Sequence, residues 1–389
     1  MPNWRKKQEE LEQFALDVIF DKRRDWKANT TRALLAALSK VYAAGVNTRL
    51  FLFRQRIFRD YTLGCQVISV GNLTVGGTGK TPVVEILARE LAKQGRKVAI
   101  LSRGYKSRQR PLGQRFLDKI TGRDGSRPPK VVSDGQSLLL DSEESGDEPY
   151  MLASNLKDVI VLVDKDRVKS GRYAIEKFGA DTLLLDDGFQ YLALKSRLDV
   201  VLVDRTNPFG TNRLLPRGTL REPPANLRRA HTIFITKSNG TPSDELKSQL
   251  RALNPSADII ECSHHPLYLE DVYTDERLPL EKLNDLPVGA LSGIAMPEGF
   301  EAMLQKLGAK VVYAKRYADH HRFSQQEILN MINASRKKGA QAIITTQKDA
   351  VRFPLIERRD LPIYFMRVEI KILSGAKDFH DAIRRICFR

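Results

Sequence analysis

Residues Thr74–Thr81 read TVGGTGKT and lie between a short apolar run, Gln66–Val70, and a helical pattern from Thr81 to Gln94. No other feature restricts the fold as strongly. The wording is that of the phosphate-binding loop G-x-x-x-x-G-K-[ST], with Thr74 in place of the first glycine. Gly76, Gly77 and Gly79 let backbone N–H groups, those of Val75 and Thr78 among them, wrap around phosphate oxygens. Lys80 then reaches the β- and γ-phosphates, and Thr81 offers its hydroxyl to Mg²⁺. A glycine-rich turn can also merely join strand to helix, but GKT at a helix start directly after a strand favours phosphate binding.

The surrounding chain alternates strand and helix. Lys97–Leu101, Val159–Val163, Thr182–Leu185 and Val200–Val203 are continuous apolar runs, the pattern of strands buried on both faces. Helix-length segments separate them, so the expectation is an α/β fold: a P-loop NTPase-type parallel sheet with helices on both faces. Thr232–Thr236 closes this part. Weaker runs at Ala257–Glu261, Val288–Leu291, Lys310–Ala314, Ala342–Thr346 and Pro362–Met366 predict a second, smaller α/β domain. The turn-rich stretch Lys237–Glu245 marks the boundary, giving domains at 61–240 and 241–389. Arg103–Lys130, with nine basic and two acidic residues, interrupts the alternation and reads as a long exposed loop or hairpin.

Composition bounds the partners. The 389 residues carry 64 Lys plus Arg against 47 Asp plus Glu, a formal charge of +17, which calls for an anionic partner. Three well-separated cysteines exclude a CxxC zinc cluster or a disulfide framework. The first thirty residues are charged throughout and lack the apolar core of a secretory leader. Residues 1–27 read as a charged helical extension with Leu11, Phe14 and Val18 on one face. Residues 28–60 differ: Ala28–Arg59 holds six basic residues and no acidic one, and Leu34, Leu35, Leu38, Val41 and Tyr42 follow a helical period. Such a basic amphipathic segment either lies on an anionic bilayer or packs on a core.

A phosphate loop needs an acid at the end of a neighbouring strand, and Asp186 and Asp187 in LLLDDGFQ supply it; paired carboxylates can otherwise cap the following turn. Asp147 and Glu148 in ESGDEPYML precede a helical pattern. An acidic cluster is ordinarily a solvated loop, but a phosphotransferase also needs a carboxylate near its acceptor oxygen. His264-His265 and His320-His321 are adjacent pairs whose side chains diverge, which argues against a shared metal. Asp319-His320 in YADHHRFS is better placed as a base or its orienting partner.

Taken together, SVGNLTVGGTGKTP, ILSRGY, GDEP, LLLDDGFQ, DRTNPFG with LLPRGTLREP, ITK, ADHHRFS and TTQKDAVR resemble, in order, the bacterial tetraacyldisaccharide 4′-kinase family from about Thr31 to Phe353. The resemblance implies ATP-dependent phosphorylation of the 4′-hydroxyl of a tetraacylated glucosamine disaccharide 1-phosphate in lipid A synthesis, with ATP and Mg²⁺ as cofactors. It also implies a peripheral or monotopic enzyme on the anionic cytoplasmic face of the bacterial inner membrane. No nucleic-acid partner is expected, and no obligate protein partner is evident in the sequence. Residue by residue, it implies Asp147 as the catalytic carboxylate, His320 as its dyad partner, Lys80 and Thr81 at phosphate and Mg²⁺, and Glu148, Asp186 and Asp187 as further active-site acids around the metal. Arg205 and Arg221 lie in matching motifs without an assigned role. Residues 1–27 and the basic 103–130 stretch are additional to the pattern.

Two rival classes fare worse. A GTPase switch needs N-K-x-D to read guanine, which neither Thr236–Asn239 nor Gln347–Asp349 provides. A nucleic-acid-dependent ATPase would fit the charge, yet no helix-turn-helix, RNA-binding or zinc-finger signature is present, and aromatics are 7%.

Overall fold

The computed structural model of the protein describes residues 2–104, 127–358 and 360–387. The chain forms two compact units, each assembled from separated stretches. Met1–Lys80, Asp187–Ser263 and Ile372–Arg389 make one; Thr81–Asp186 and His264–Lys371 make the other.

In the first unit, strands Gln66–Asn72, Leu198–Asp204 and Thr232–Thr236 pair in parallel, and Asp258–Glu261 adds to the last of them. All three strands are buried at nearly every position, with apolar centres, because both faces are covered. Side chains alternate across a strand, so Ile233 and Ile235 meet Leu246 and Leu250 of helix Asp244–Leu253. Phe234 points the other way and packs edge-on against Phe379 of helix Ala376–Cys387. Gly71 is required by crowding: a Cβ there would lie 2.6 Å from the Cβ of Phe189. That close approach lets Gly188 N–H donate to Val70 O at 2.8 Å and pins the Asp187 turn to the strand that leads into the phosphate loop.

The second unit contains the parallel strands Thr182–Asp186, Val98–Ser102 and Ile160–Val163, with Lys130–Asp134 pairing antiparallel to the last. Another parallel group runs Lys310–Arg316, Pro287–Ser292, Ala342–Thr346 and Ile363–Ser374. Helix Gln325–Lys337 covers this group with Ile328, Met331 and Ile332, and opens with a capping box in which Ser324 and Glu327 satisfy each other's backbone N–H.

The α/β character and the parallel strands match the expectation from sequence. Most of the basic stretch expected as a loop or hairpin, 105–126, lies outside the described residues. Its end is an edge strand that the apolar pattern did not announce. The charged extension is the helix Pro2–Ile19, in which Val18 is buried while Leu11 is exposed. The basic segment is the 29-residue helix Trp26–Arg54, capped by Asp25. Its expected single apolar face is split in two. Leu34, Leu38 and Val41 face solvent, whereas Ser39 and Tyr42 donate hydrogen bonds to the carbonyls of Leu214 and Arg221.

Candidate active site

The phosphate loop leaves the strand Gln66–Asn72 and enters the helix Lys80–Lys93. Its two ends are fixed from below. Val75 N–H donates to Thr219 O at 2.8 Å and Thr78 N–H to Gly76 O at 3.1 Å, so these two groups bond within the protein instead of facing phosphate as the sequence suggested; Asn72 donates to Thr74 O at 2.6 Å, and Thr236 Oγ1 donates to Thr78 O at 2.8 Å. Between these ties Gly76 and Gly77 are exposed, and a Cβ on either would meet nothing within 4 Å. Gly76 adopts φ +117°, which a side chain resists. The loop is therefore held at its margins and open toward an incoming anion, with the amino end of a 14-residue helix behind it.

Lys80 Nζ donates to Asn72 Oδ1 at 3.3 Å and lies 3.8 Å from Asp187. Arg221 Nη1 grips both oxygens of Asp187, at 2.7 and 2.8 Å. Asp187 has φ +55°, an uncommon conformation for an aspartate that the Gly188–Val70 tie maintains. The structure thus gives Arg221 a partner that sequence reading did not. Arg205 is elsewhere, bracing the 238–242 turn through Thr241 Oγ1 and Pro242 O.

In the second unit Asp186 ends the strand Thr182–Asp186, is 4% exposed, and accepts from Ser102 Oγ at 3.0 Å. A buried carboxylate and the Thr81 hydroxyl are hard oxygen donors of the kind Mg²⁺ takes alongside phosphate and water.

Asp147 opens the helix Asp147–Asn155, where the helix dipole favours a carboxylate. It is 6% exposed. Its Oδ2 receives His320 Nδ1 at 2.9 Å and Arg352 Nε at 2.8 Å, while Oδ1 has Arg322 at 3.7 Å. Burial opposes ionisation of Asp147, but the His320 hydrogen bond and the charge and hydrogen bond of Arg352 outweigh it and hold the carboxyl below its ordinary range. On its other ring nitrogen His320 meets Lys348 Nζ at 3.2 Å. A carboxylate only accepts, so Nδ1 donates to Asp147, while Nε2 also lies 3.8 Å from Asp319 Oδ2.

Arg352 has a fully buried side chain and also donates to Asp349 Oδ1 at 3.1 Å. Asp349 in turn accepts from Gly293 N–H at 3.0 Å and Thr346 Oγ1 at 2.7 Å, with burial pushing its carboxyl upward against these partners. Lys348, Asp349 and Arg352 all come from TTQKDAVR, a segment that sequence reading singled out without giving these side chains a role. Glu148 is half-exposed and lies 3.8 Å from Lys348. His321 pairs with Glu327 and stacks on Tyr317, away from Asp147, and His264-His265 lies on the strand Asp258–Asp271. Among the described residues no three His, Cys, Asp or Glu side chains form a metal cluster.

The chain matches the LpxK family, Tetraacyldisaccharide-1-P 4′-kinase, over residues 31–387. It is 37% identical over 348 residues to the tetraacyldisaccharide 4′-kinase of Syntrophus aciditrophicus, covering 87% of this chain and 89% of that one. With the Halothermothrix orenii protein of the same name it shares 33% identity over 400 residues, 98% and 99% of the two chains. The crystal structure of an "apo" form of LpxK from Aquifex aeolicus in complex with ATP superposes with a TM-score of 0.70 at 29% identity, over 92% of this chain and all of that one. The protein described here belongs to the tetraacyldisaccharide-1-P 4′-kinase family.

Proposed function

We propose that this kinase of lipid A biosynthesis uses Asp147 as the base that receives the proton of the acceptor 4′-hydroxyl, with ATP as donor. The observation that carries the reading is the unequal use of the two Asp147 oxygens. Oδ2 is hydrogen-bonded by His320 and Arg352, whereas Oδ1 faces Arg322 at 3.7 Å, beyond hydrogen-bond reach, and so is the oxygen assigned to accept from a sugar hydroxyl. The 4′-oxygen forms the new bond to the γ-phosphorus, the bond from that phosphorus to the β,γ-bridging oxygen breaks, ADP leaves, and the hydroxyl proton passes to Asp147.

Phosphoryl transfer runs through a loose transition state in which the acceptor proton is lost late. A strong base is then unnecessary, and a carboxylate held ionised and rigid is suited to orienting the hydroxyl. His320 fixes that carboxylate, and Lys348 fixes His320. The loop Thr74–Lys80 holds the triphosphate, with Lys80 countering charge on the transferred group. Thr81 and Asp186 are the residues that would hold Mg²⁺, which neutralises charge on the β- and γ-phosphate oxygens when bound. Asp187, already engaged by Arg221, is assigned to shaping the Lys80 side of the site. Glu148, 3.8 Å from Lys348, is assigned as a further acid toward the metal.

The acceptor is an acylated disaccharide phosphate, and access to it is assigned to residues 28–60. No helix among the described residues is long and apolar enough to cross a membrane. Leu34, Leu38, Val41 and Phe51 are exposed on a helix whose charges are all basic after Lys27, the chemistry of a peripheral segment on an anionic leaflet. The test of the acid–base assignment is a double-mutant series. Asp147→Ala should lower kcat by about 10²–10⁴-fold, His320→Ala by less, and the double mutant should match Asp147→Ala alone. Multiplicative losses would mean that the two residues act independently.

A further inference from the structure

Residues 1–30 precede the region that matches the family, yet the structure fastens them to the middle of the chain. Arg217 is the fastener. It is 1% exposed, and its Nη1 donates to Ile19 O at 3.1 Å and Val18 O at 3.5 Å, carbonyls at the end of helix Pro2–Ile19. Nη2 donates to Asp21 Oδ1 at 2.6 Å, and Arg32 pairs with the same oxygen at 2.8 Å. A cation at a helix carboxyl end is doubly favoured, by the dipole and by carbonyls that lack a partner within the helix.

Arg217 sits at the tip of a tightly closed turn. Leu215 N–H donates to Leu220 O at 2.8 Å and Leu220 N–H to Arg213 O at 3.0 Å. A Cβ on Gly218 would lie 2.3 Å from Arg213 O, so only glycine fits at this point of the turn. At its base are two residues of the nucleotide site: Thr219, whose carbonyl receives Val75 N–H of the phosphate loop, and Arg221, which grips Asp187 beside Lys80.

We propose that Arg217 is a positioning residue for nucleotide binding: by clasping the N-terminal helix and Asp21 it holds the 213–221 turn where Thr219 and Arg221 set the phosphate loop. The inference rests on the reading of Thr74–Thr81 as the ATP loop. It is tested in the full-length protein by the affinity for a fluorescent ATP analogue together with kcat and both KM values, in Arg217→Leu, Arg217→Lys and Asp21→Asn, with Lys80→Ala as reference. Arg217→Leu and Asp21→Asn should each weaken ATP binding and raise its KM by about three- to tenfold, the loss expected from a broken charged hydrogen bond that is only partly transmitted. The KM for the lipid should stay unchanged, and Arg217→Lys should recover part of the affinity. Asp21 is half-exposed, so Asp21→Asn remains decisive even if Arg217→Leu fails to fold. Unchanged ATP affinity in Asp21→Asn and in folded Arg217→Leu, with Lys80→Ala impaired, overturns this inference alone. Unchanged affinity in Lys80→Ala as well overturns the loop reading and this inference with it.

Discussion

The role proposed for Asp147 makes three demands at once: burial, ionisation and an oxygen that a substrate hydroxyl can reach. Burial alone would neutralise the carboxylate, and Arg352 and His320 prevent that at a cost in basicity. The sign of the pH effect follows. A carboxyl held low stays ionised as pH falls, and the activity that depends on it is lost only when pH passes below its lowered value. His320→Ala removes a lowering hydrogen bond, so the acid limb of the kcat profile should move to higher pH; an unmoved limb would detach His320 from Asp147. Lys80→Ala should cost on the order of 10²–10³-fold in turnover, because a cation is lost where phosphoryl charge accumulates. Near-wild-type turnover in the folded variant would contradict the loop assignment. These roles differ in how visible they are along the chain. TVGGTGKT is contiguous, so Lys80 and Thr81 are legible as letters. Lys348, Asp349 and Arg352 acquire meaning only through partners such as Asp147, 205 residues from Arg352 in sequence, and no local pattern encodes such a pairing.

At the scale of elements, apolar runs located the strands well because strands covered on both faces have nowhere to put a charge. Thr232–Thr236 and Ala342–Thr346 fall where the runs lie. Two strands are longer than their runs: Asp258–Asp271 and Ile363–Ser374 continue through partly exposed polar residues that keep strand geometry without an apolar signal. The edge strand Lys130–Asp134 was hidden for a related reason, since KVVSD offers only two apolar residues at the end of a basic stretch. Helix Trp26–Arg54 shows the limit of periodicity. It identified the helix and its apolar residues, but not which of them the body of the protein covers. The exposed row Leu34, Leu38 and Val41 should govern membrane affinity: changing all three to Ser should weaken vesicle binding substantially without loss of fold. Reversing Arg54 and Arg56 should weaken binding to anionic vesicles by roughly 1 kcal/mol per residue and leave neutral vesicles unaffected. Equal binding by variants and wild type in sedimentation would favour a purely structural role for the helix.

For the molecule as a whole, the net charge of +17 predicted an anionic partner but not which one; the motif order across most of the chain resolved it toward a phosphorylated lipid. Each compact unit draws on separated stretches, and the Arg217 clasp joins residues 196 apart, relations that reading along the chain does not reveal. The central claim is that this chain phosphorylates a lipid disaccharide with Asp147 serving the acceptor. It is tested most directly by supplying ATP, Mg²⁺ and a tetraacylated disaccharide 1-phosphate to wild type and Asp147→Asn, and locating the new phosphate by mass spectrometry. The account predicts phosphate on the 4′ position with wild type, and a rate about 10²–10⁴-fold lower in Asp147→Asn with ATP binding retained. Phosphate at another position, or wild-type rate in Asp147→Asn, would contradict it.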